Sequence, residues 1–186
     1  MALSSGGEFD SLGALFAGQL QRLCDGERRL LEALPLMAEA AHSQSLRVTF
    51  HQHVREAQDQ VARLERALQS VGREAEGRTS HALKGLVEEG REVANAGGAP
   101  AVKDAALIAA AQGVAHYKIS AYGTARAFAQ YLGHQEAARL LQETLIEEAA
   151  RDRWLTRLAE GSINALATAA PRGAPDQPAA GTTALP

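Results

Sequence analysis

The chain has 186 residues, of which 46% are apolar, 4% aromatic and 22% charged, with a formal net charge of −3. That length suits one domain with a core of ordinary size, and the charge, with Arg interleaved among Glu, gives no electrostatic case for nucleic acid. The single cysteine, Cys24, excludes an internal disulfide framework and a Cys-based zinc cage.

No apolar run approaches the roughly 18 residues of a membrane span, and the N-terminus lacks a basic segment followed by an apolar one. The expectation is a soluble cytoplasmic protein with no membrane partner. Ala, Leu, Glu, Gln and Arg dominate, and β-branched residues are too few to build strands, so the composition predicts helices.

Residues 1–8 are small and polar and read as disordered. Asp10 or Ser11 can cap a first helix along which Leu12, Leu15, Phe16, Gln19, Leu23, Glu27, Leu30, Leu34, Met37 and Ala41 recur at steps of three and four. Glu27 interrupts that stripe where a Leu belongs, and Pro35 predicts a kink or short break. After His42 to Ser45, the stripe Leu46, Phe50, Val54 or His53, Ala57, Val61, Leu64, Leu68 and Val71 marks a second helix ending near Gly72. Glu56 and Gln60 lie one turn apart on it and can point the same way.

A loop over Gly72 to Ser80 leads into a shorter, more polar helix, Ser80 to Ala96, which the breakers of Asn95 to Pro100 end. The third long helix follows, over Val102 to Gly133. Between Asp104 and Arg126 its only formal charge is Lys118, a pattern expected of a helix surrounded by others. Such a lysine either reaches solvent along its stem or finds a carboxylate inside. The last helix is expected from Gln135 to Ala165, with Glu148 and Asp152 interrupting its apolar side. Residues 168–186 form a Pro/Ala/Gly-rich tail without periodicity and read as disordered.

Four long helices and one short one predict an antiparallel four-helix bundle over residues 9–167. Each half repeats one polar residue and then a polar pair at one-turn spacing: Glu27 with Glu56 and Gln60, Lys118 with Glu148 and Asp152. That repeat is the layout of a bundle with internal two-fold symmetry and a polar centre.

The stretches ERRLLEALPLMAEAA (Glu27 to Ala41), FHQHVREAQDQVARLE (Phe50 to Glu65), GLVEEG (Gly85 to Gly90), KDAALIAAAQGVAHYKISAYGTA (Lys103 to Ala125) and ARLLQETLIEEAARD (Ala138 to Asp152) resemble the YciE/YciF family of stress-associated bacterial proteins. The resemblance spans nearly all of Leu12 to Ala165. It implies an all-α, ferritin-like four-helix bundle with a short extra helix between the second and third long helices. In such bundles, facing carboxylates hold two iron or manganese ions.

Carried over residue by residue, the resemblance implies Glu27, Glu56, Glu148 and Asp152 as metal ligands, with His53 and Gln60 as further contacts. The acidic positions at Glu27, Glu147, Glu148 and Asp152 stand, and in the second-helix pair Arg55 precedes Glu56. The third helix departs: where the family pattern reads V-E-H-Y-E, this chain has Val114-Ala115-His116-Tyr117-Lys118. A lysine in place of a metal-bridging Glu replaces attraction by repulsion. Unit charges about 4 Å apart interact by about 4 kcal/mol at an effective dielectric near 20.

The expectation is therefore a degenerate di-metal site without catalysis, in which Lys118 neutralises Glu27, Glu56 and Glu148, with no cofactor or only weakly bound Fe or Mn. A homodimer is expected as well. The rival is an active di-iron or di-manganese protein with oxidoreductase or peroxide-consuming activity that uses the same acids and a His such as His53 or His116. For each of these residues the alternative is structural: a buried polar network for the acids, a hydrogen-bonded His, a snorkelling Lys118, space-filling Tyr117 and Tyr122, and a small buried hydrophobe at Cys24. No substrate is named by the sequence.

Overall fold

The computed structural model describes residues 10–170, and every regular element among them is helical. The disorder expected for residues 1–8 and for 171–186 lies outside the described residues. Helix α1 spans Leu12–Ala40, α2 Gln44–Ser70, α3 His81–Asn95, α4 Pro100–Tyr131 and α5 Gln135–Leu158; a π-helical turn, Ala159–Ile163, then leads into α6, Asn164–Ala169. No helix of the described residues is long and apolar enough to cross a membrane.

Caps set the boundaries. Ser11 Oγ accepts from Ala14 N at 3.1 Å, Ser43 Oγ from Leu46 N at 3.4 Å and Ser80 Oγ from Leu83 N at 3.3 Å. Each satisfies a donor that has no partner within its own helix. Pro100 opens α4, where its missing N–H costs nothing. Gly133, at φ +77°, turns α4 into α5, with His134 N donating to Ala129 O at 2.9 Å.

Three expectations change. Helix α1 runs unbroken through Pro35, which sits on its exposed side, so water can serve the carbonyl that loses its donor. The last helix is interrupted by the π turn around Gly161, and helical structure then continues to Ala169, past the expected helix end at Ala165 and into the start of the tail expected to be disordered from 168. Helix α4 is covered on one side only: Val102, Ala109, His116, Ser120, Thr124 and Tyr131 form an exposed strip without a formal charge.

Short links pair α1 with α2 and α4 with α5, and α1 and α2 lie against α4 and α5 respectively. At one end His42 N and Ser43 N each donate to the buried Asp104 carboxylate at 2.7 Å, tying the α1–α2 turn to the start of α4. At the other end the Phe16 ring stacks on that of His134. Neighbouring long helices are therefore antiparallel. The chain must cross the length of the bundle between α2 and α4, and α3, about 22 Å long at 1.5 Å per residue, makes that crossing.

The crossing is pinned where it begins. Gln21 Nε2 donates to Glu74 O and Glu76 O at 3.0 and 2.7 Å, Arg28 bridges Glu65 and Glu76, and Asp25 accepts from Ser80 N at 2.9 Å. Gly26 lets α3 approach closely, since a Cβ there would lie 2.0 Å from Leu83 Cδ1. The apolar core is split. One cluster gathers Phe16, Leu20, Leu23, Leu64, Leu68 and Ala125, the other Leu34, Met37, Phe50, Leu107, Val114 and Leu155. A polar layer lies between them.

Candidate functional site: a buried ion-paired layer

Each long helix delivers a polar side chain to this layer at a position its apolar stripe would give to a Leu. Glu27 comes from α1, Gln60 from α2, Lys118 and Tyr122 from α4, and Glu148 from α5; all five are 0% exposed. Arg151, one turn beyond Glu148, is buried beside them.

Lys118 is the hub. Its Nζ lies 2.8 and 2.9 Å from Glu27 Oε1 and Oε2, and 2.8 Å from both Glu148 Oε1 and Gln60 Oε1. Tyr122, one turn along α4, donates its hydroxyl to Glu27 Oε1 at 2.8 Å. Glu148 Oε1 also accepts from Gln60 Nε2 at 3.0 Å and Arg151 Nη1 at 2.6 Å, whereas its Oε2 has no protein partner. The two buried acids thus face two buried cations, a balance that a low-dielectric core requires.

The layer reaches the surface between α2 and α5. Arg151 Nη2 pairs with Glu56 at the rim. Gln60 Nε2 donates to Glu147 Oε2 at 3.0 Å, and Arg63 clasps Glu147 through two bonds of 2.7 Å. Of the expected ligands, Glu27, Glu148 and Gln60 come together. Glu56 touches Arg151, whereas the sequence reading gave it Lys118: its place on α2, one turn before Gln60, leaves it at the rim. Asp152 points elsewhere, into the α4–α5 seam, where it accepts from Gln112 Nε2 at 3.0 Å and lies 3.2 Å from His116 Nε2.

His53 is 3% exposed, and neither ring nitrogen has a hydrogen-bond partner. It lines a small apolar cavity with Leu30, Leu34, Met37, Val87 and Val114. Burial, then the Arg151 and Lys118 charges, hold its pKa well below the usual range, so the ring is neutral. Burial raises the Glu27 carboxyl against the pull of Lys118, and the nearby Glu148 charge adds to the rise. Burial also pushes Glu148 upward, but Lys118 and Arg151 together bring it below the usual range. Tyr122 is raised well above a normal phenol by burial and by Glu27. Burial pushes the Cys24 thiol up to about 11, leaving it an inert apolar filler.

Sequence reasoning left out Arg151 and Arg63, and it counted Glu147 only among the acidic positions that stand. Arg151 sits three residues after Glu148, which permits an ion pair on one face, but in Ala150-Arg151-Asp152-Arg153 it reads as solvated surface. Among the described residues no group of three or more His, Cys, Asp or Glu side chains is arranged to hold a metal ion.

The family described as "Domain of unknown function (DUF892)" matches residues 11–168. The protein YciF of Escherichia coli K12 is 39% identical over 151 residues, which are 81% of this chain and 91% of YciF. The crystal structure of E. coli YciF, described as a stress protein, superposes with a TM-score of 0.80 at 38% identity, covering 84% of this chain and 99% of that one. YcfI of Rhodopseudomonas palustris, which carries a provisional description as a structural protein, gives 0.77 at 33% identity over 83% and 97%. A Xanthomonas campestris protein at 19% identity shares the fold, with a TM-score of 0.68 over 85% and 96%. The fold is thus the ferritin-like helical bundle of YciF, and the chain belongs to the DUF892 family.

Proposed function

We propose that this chain is a stress-associated, ferritin-like protein whose di-metal centre is degenerate, and that it works as a non-catalytic structural or interaction protein. The observation that carries the reading is the place of the Lys118 ammonium, within 2.9 Å of both Glu27 oxygens and 2.8 Å from Glu148. A divalent ion bound by these acids would have to occupy the ground that Nζ fills, or sit against its charge. Glu56 and Asp152 supply no replacement, since one is bound to Arg151 and the other lies in the α4–α5 seam. The residues present therefore do not fit a two-metal site. The stress association is that of YciF, extended to this chain through their similarity.

Elemental analysis tests the reading on protein purified without chelator and then loaded with Fe(II). Less than about a tenth of an ion per chain is expected, and about two Fe or Mn per chain, the stoichiometry of a carboxylate di-metal bundle, would overturn the degenerate reading. A homodimer belongs to the same proposal. The exposed strip of α4 has no charge because Asp104 and Lys118 turn inward and Lys103 and Arg126 lie half-buried outside it, and an uncharged helix face is what a second copy can cover without desolvating ions. Light scattering that returns the mass of a single chain would refute it.

A further inference from the structure

Lys118, Glu27, Glu148 and Tyr122 have the arrangement of a condensation site. The two Glu27 oxygens at 2.8 and 2.9 Å from Nζ place Cδ about 3 Å from the amine, a near-attack separation. Glu148 Oε1, 2.8 Å from the same nitrogen, can take a proton from it. The Tyr122 hydroxyl, 2.8 Å from Glu27 Oε1, is a donor aimed at the oxygen on which charge would develop. All four side chains are fully buried between the two apolar clusters. We propose that this layer is a self-modification site, at which Lys118 Nζ and Glu27 Cδ join in an intramolecular isopeptide bond that ties α4 covalently to α1.

Atoms balance without an oxidant or co-reactant. The Cδ–Nζ bond forms and the Cδ–Oε2 bond breaks. Oε1 remains as the amide carbonyl, held by Tyr122. The ammonium loses two protons, relayed through Glu148, and they leave with Oε2 as one water. Two conditions favour this direction. Full burial of the four side chains limits the water that would drive hydrolysis, and a neutral amide ends the desolvation penalty of the ion pair it replaces. The bond extends the ion-paired reading, because the pair is its precursor.

Intact-mass spectrometry of the full chain, denatured before measurement, decides the matter. The expected mass is about 18 Da, one water, below the sum of the residues, with a branched tryptic product joining the Glu27 and Lys118 peptides. Lys118→Arg keeps the cation and cannot condense, so it must show the full mass. Glu148→Gln loses the base, and its uncondensed fraction must rise. Wild-type protein at full mass would overturn the proposal while leaving the ion-paired core standing. An 18 Da deficit that persists in Lys118→Arg would overturn it too, by assigning the loss to dehydration elsewhere, such as at Asp25-Gly26.

Discussion

Replacing Lys118 by Met removes the hub of the polar layer at nearly constant volume. Glu27 is then left with the Tyr122 hydroxyl as its one donor and no cation, while Glu148 keeps Arg151 and Gln60. Breaking a buried pair by removing one partner costs about 3–5 kcal/mol, because the remaining charge stays desolvated. For a chain of this size each kcal/mol lowers Tm by about 2–4 °C, so a fall of roughly 6–20 °C is expected. The loss depends on pH. Glu27 is already raised by burial, and without Lys118 it rises further; a group raised in the folded state contributes most at low pH and loses that contribution as pH rises through its folded pKa. Lys118→Met should therefore recover stability relative to wild type as pH falls from 8 towards 5. Urea denaturation of both proteins across that range measures it. Adding Glu27→Gln should restore most of the loss by removing the stranded charge. A Lys118→Met protein within about 1 kcal/mol of wild type at pH 7, or a deficit independent of pH, would refute the reasoning.

Four further outcomes are expected. Glu148→Gln should destabilise by about 2–4 kcal/mol and Glu56→Gln by less than about 1 kcal/mol, since Glu148 is fully buried under two cations and Glu56 sits at the rim; chemical denaturation at neutral pH compares them. His53→Leu should leave stability at pH 7 unchanged or higher and flatten its acid dependence. A neutral buried His binds its proton only on unfolding, so its contribution is present above the unfolded pKa near 6.5 and falls as pH drops towards the depressed folded value, by up to about 1.4 kcal/mol per pH unit. Gly26→Ala should cost about 1–3 kcal/mol in a thermal melt, because the new Cβ would overlap Leu83 and push α3 away from α1. Lys118→Glu with Ala115→Glu should raise affinity for Fe(II) or Mn(II) in a calorimetric titration; a double variant that binds no more metal than its parent would show that these positions do not govern the site.

Much of the fold could be read from the chain because its helices are written in stripes. Phe16, Leu23, Leu30, Leu34 and Met37 recur at the period that buries one face of α1, and the Ser caps and Gly133 mark ends through local chemistry that needs no partner. The interruptions in those stripes were equally visible: Glu27, Gln60, Lys118 and Glu148 stand where an apolar residue belongs. Membership of the YciF-type family was legible as well, since the stretches that carry it run along these same stripes.

Which polar residue meets which was not legible. Helical spacing puts Glu56 beside Gln60 and Glu148 beside Asp152 on their own helices, but only the rotation and height of four packed helices decide that Gln60 and Glu148 enter the layer. Glu56 stays at the rim, and Asp152 turns to Gln112 and His116. The same packing makes Arg151 a buried counter-ion, although one turn of helix cannot tell a cation aimed inward from one aimed at water. Lys118 shows the division most clearly. The sequence by itself determined that a single cation sits in the long uncharged run between Asp104 and Arg126; the tertiary structure decided that it is sealed inside, because only neighbouring helices can bring Glu27 and Glu148 within reach of its ammonium.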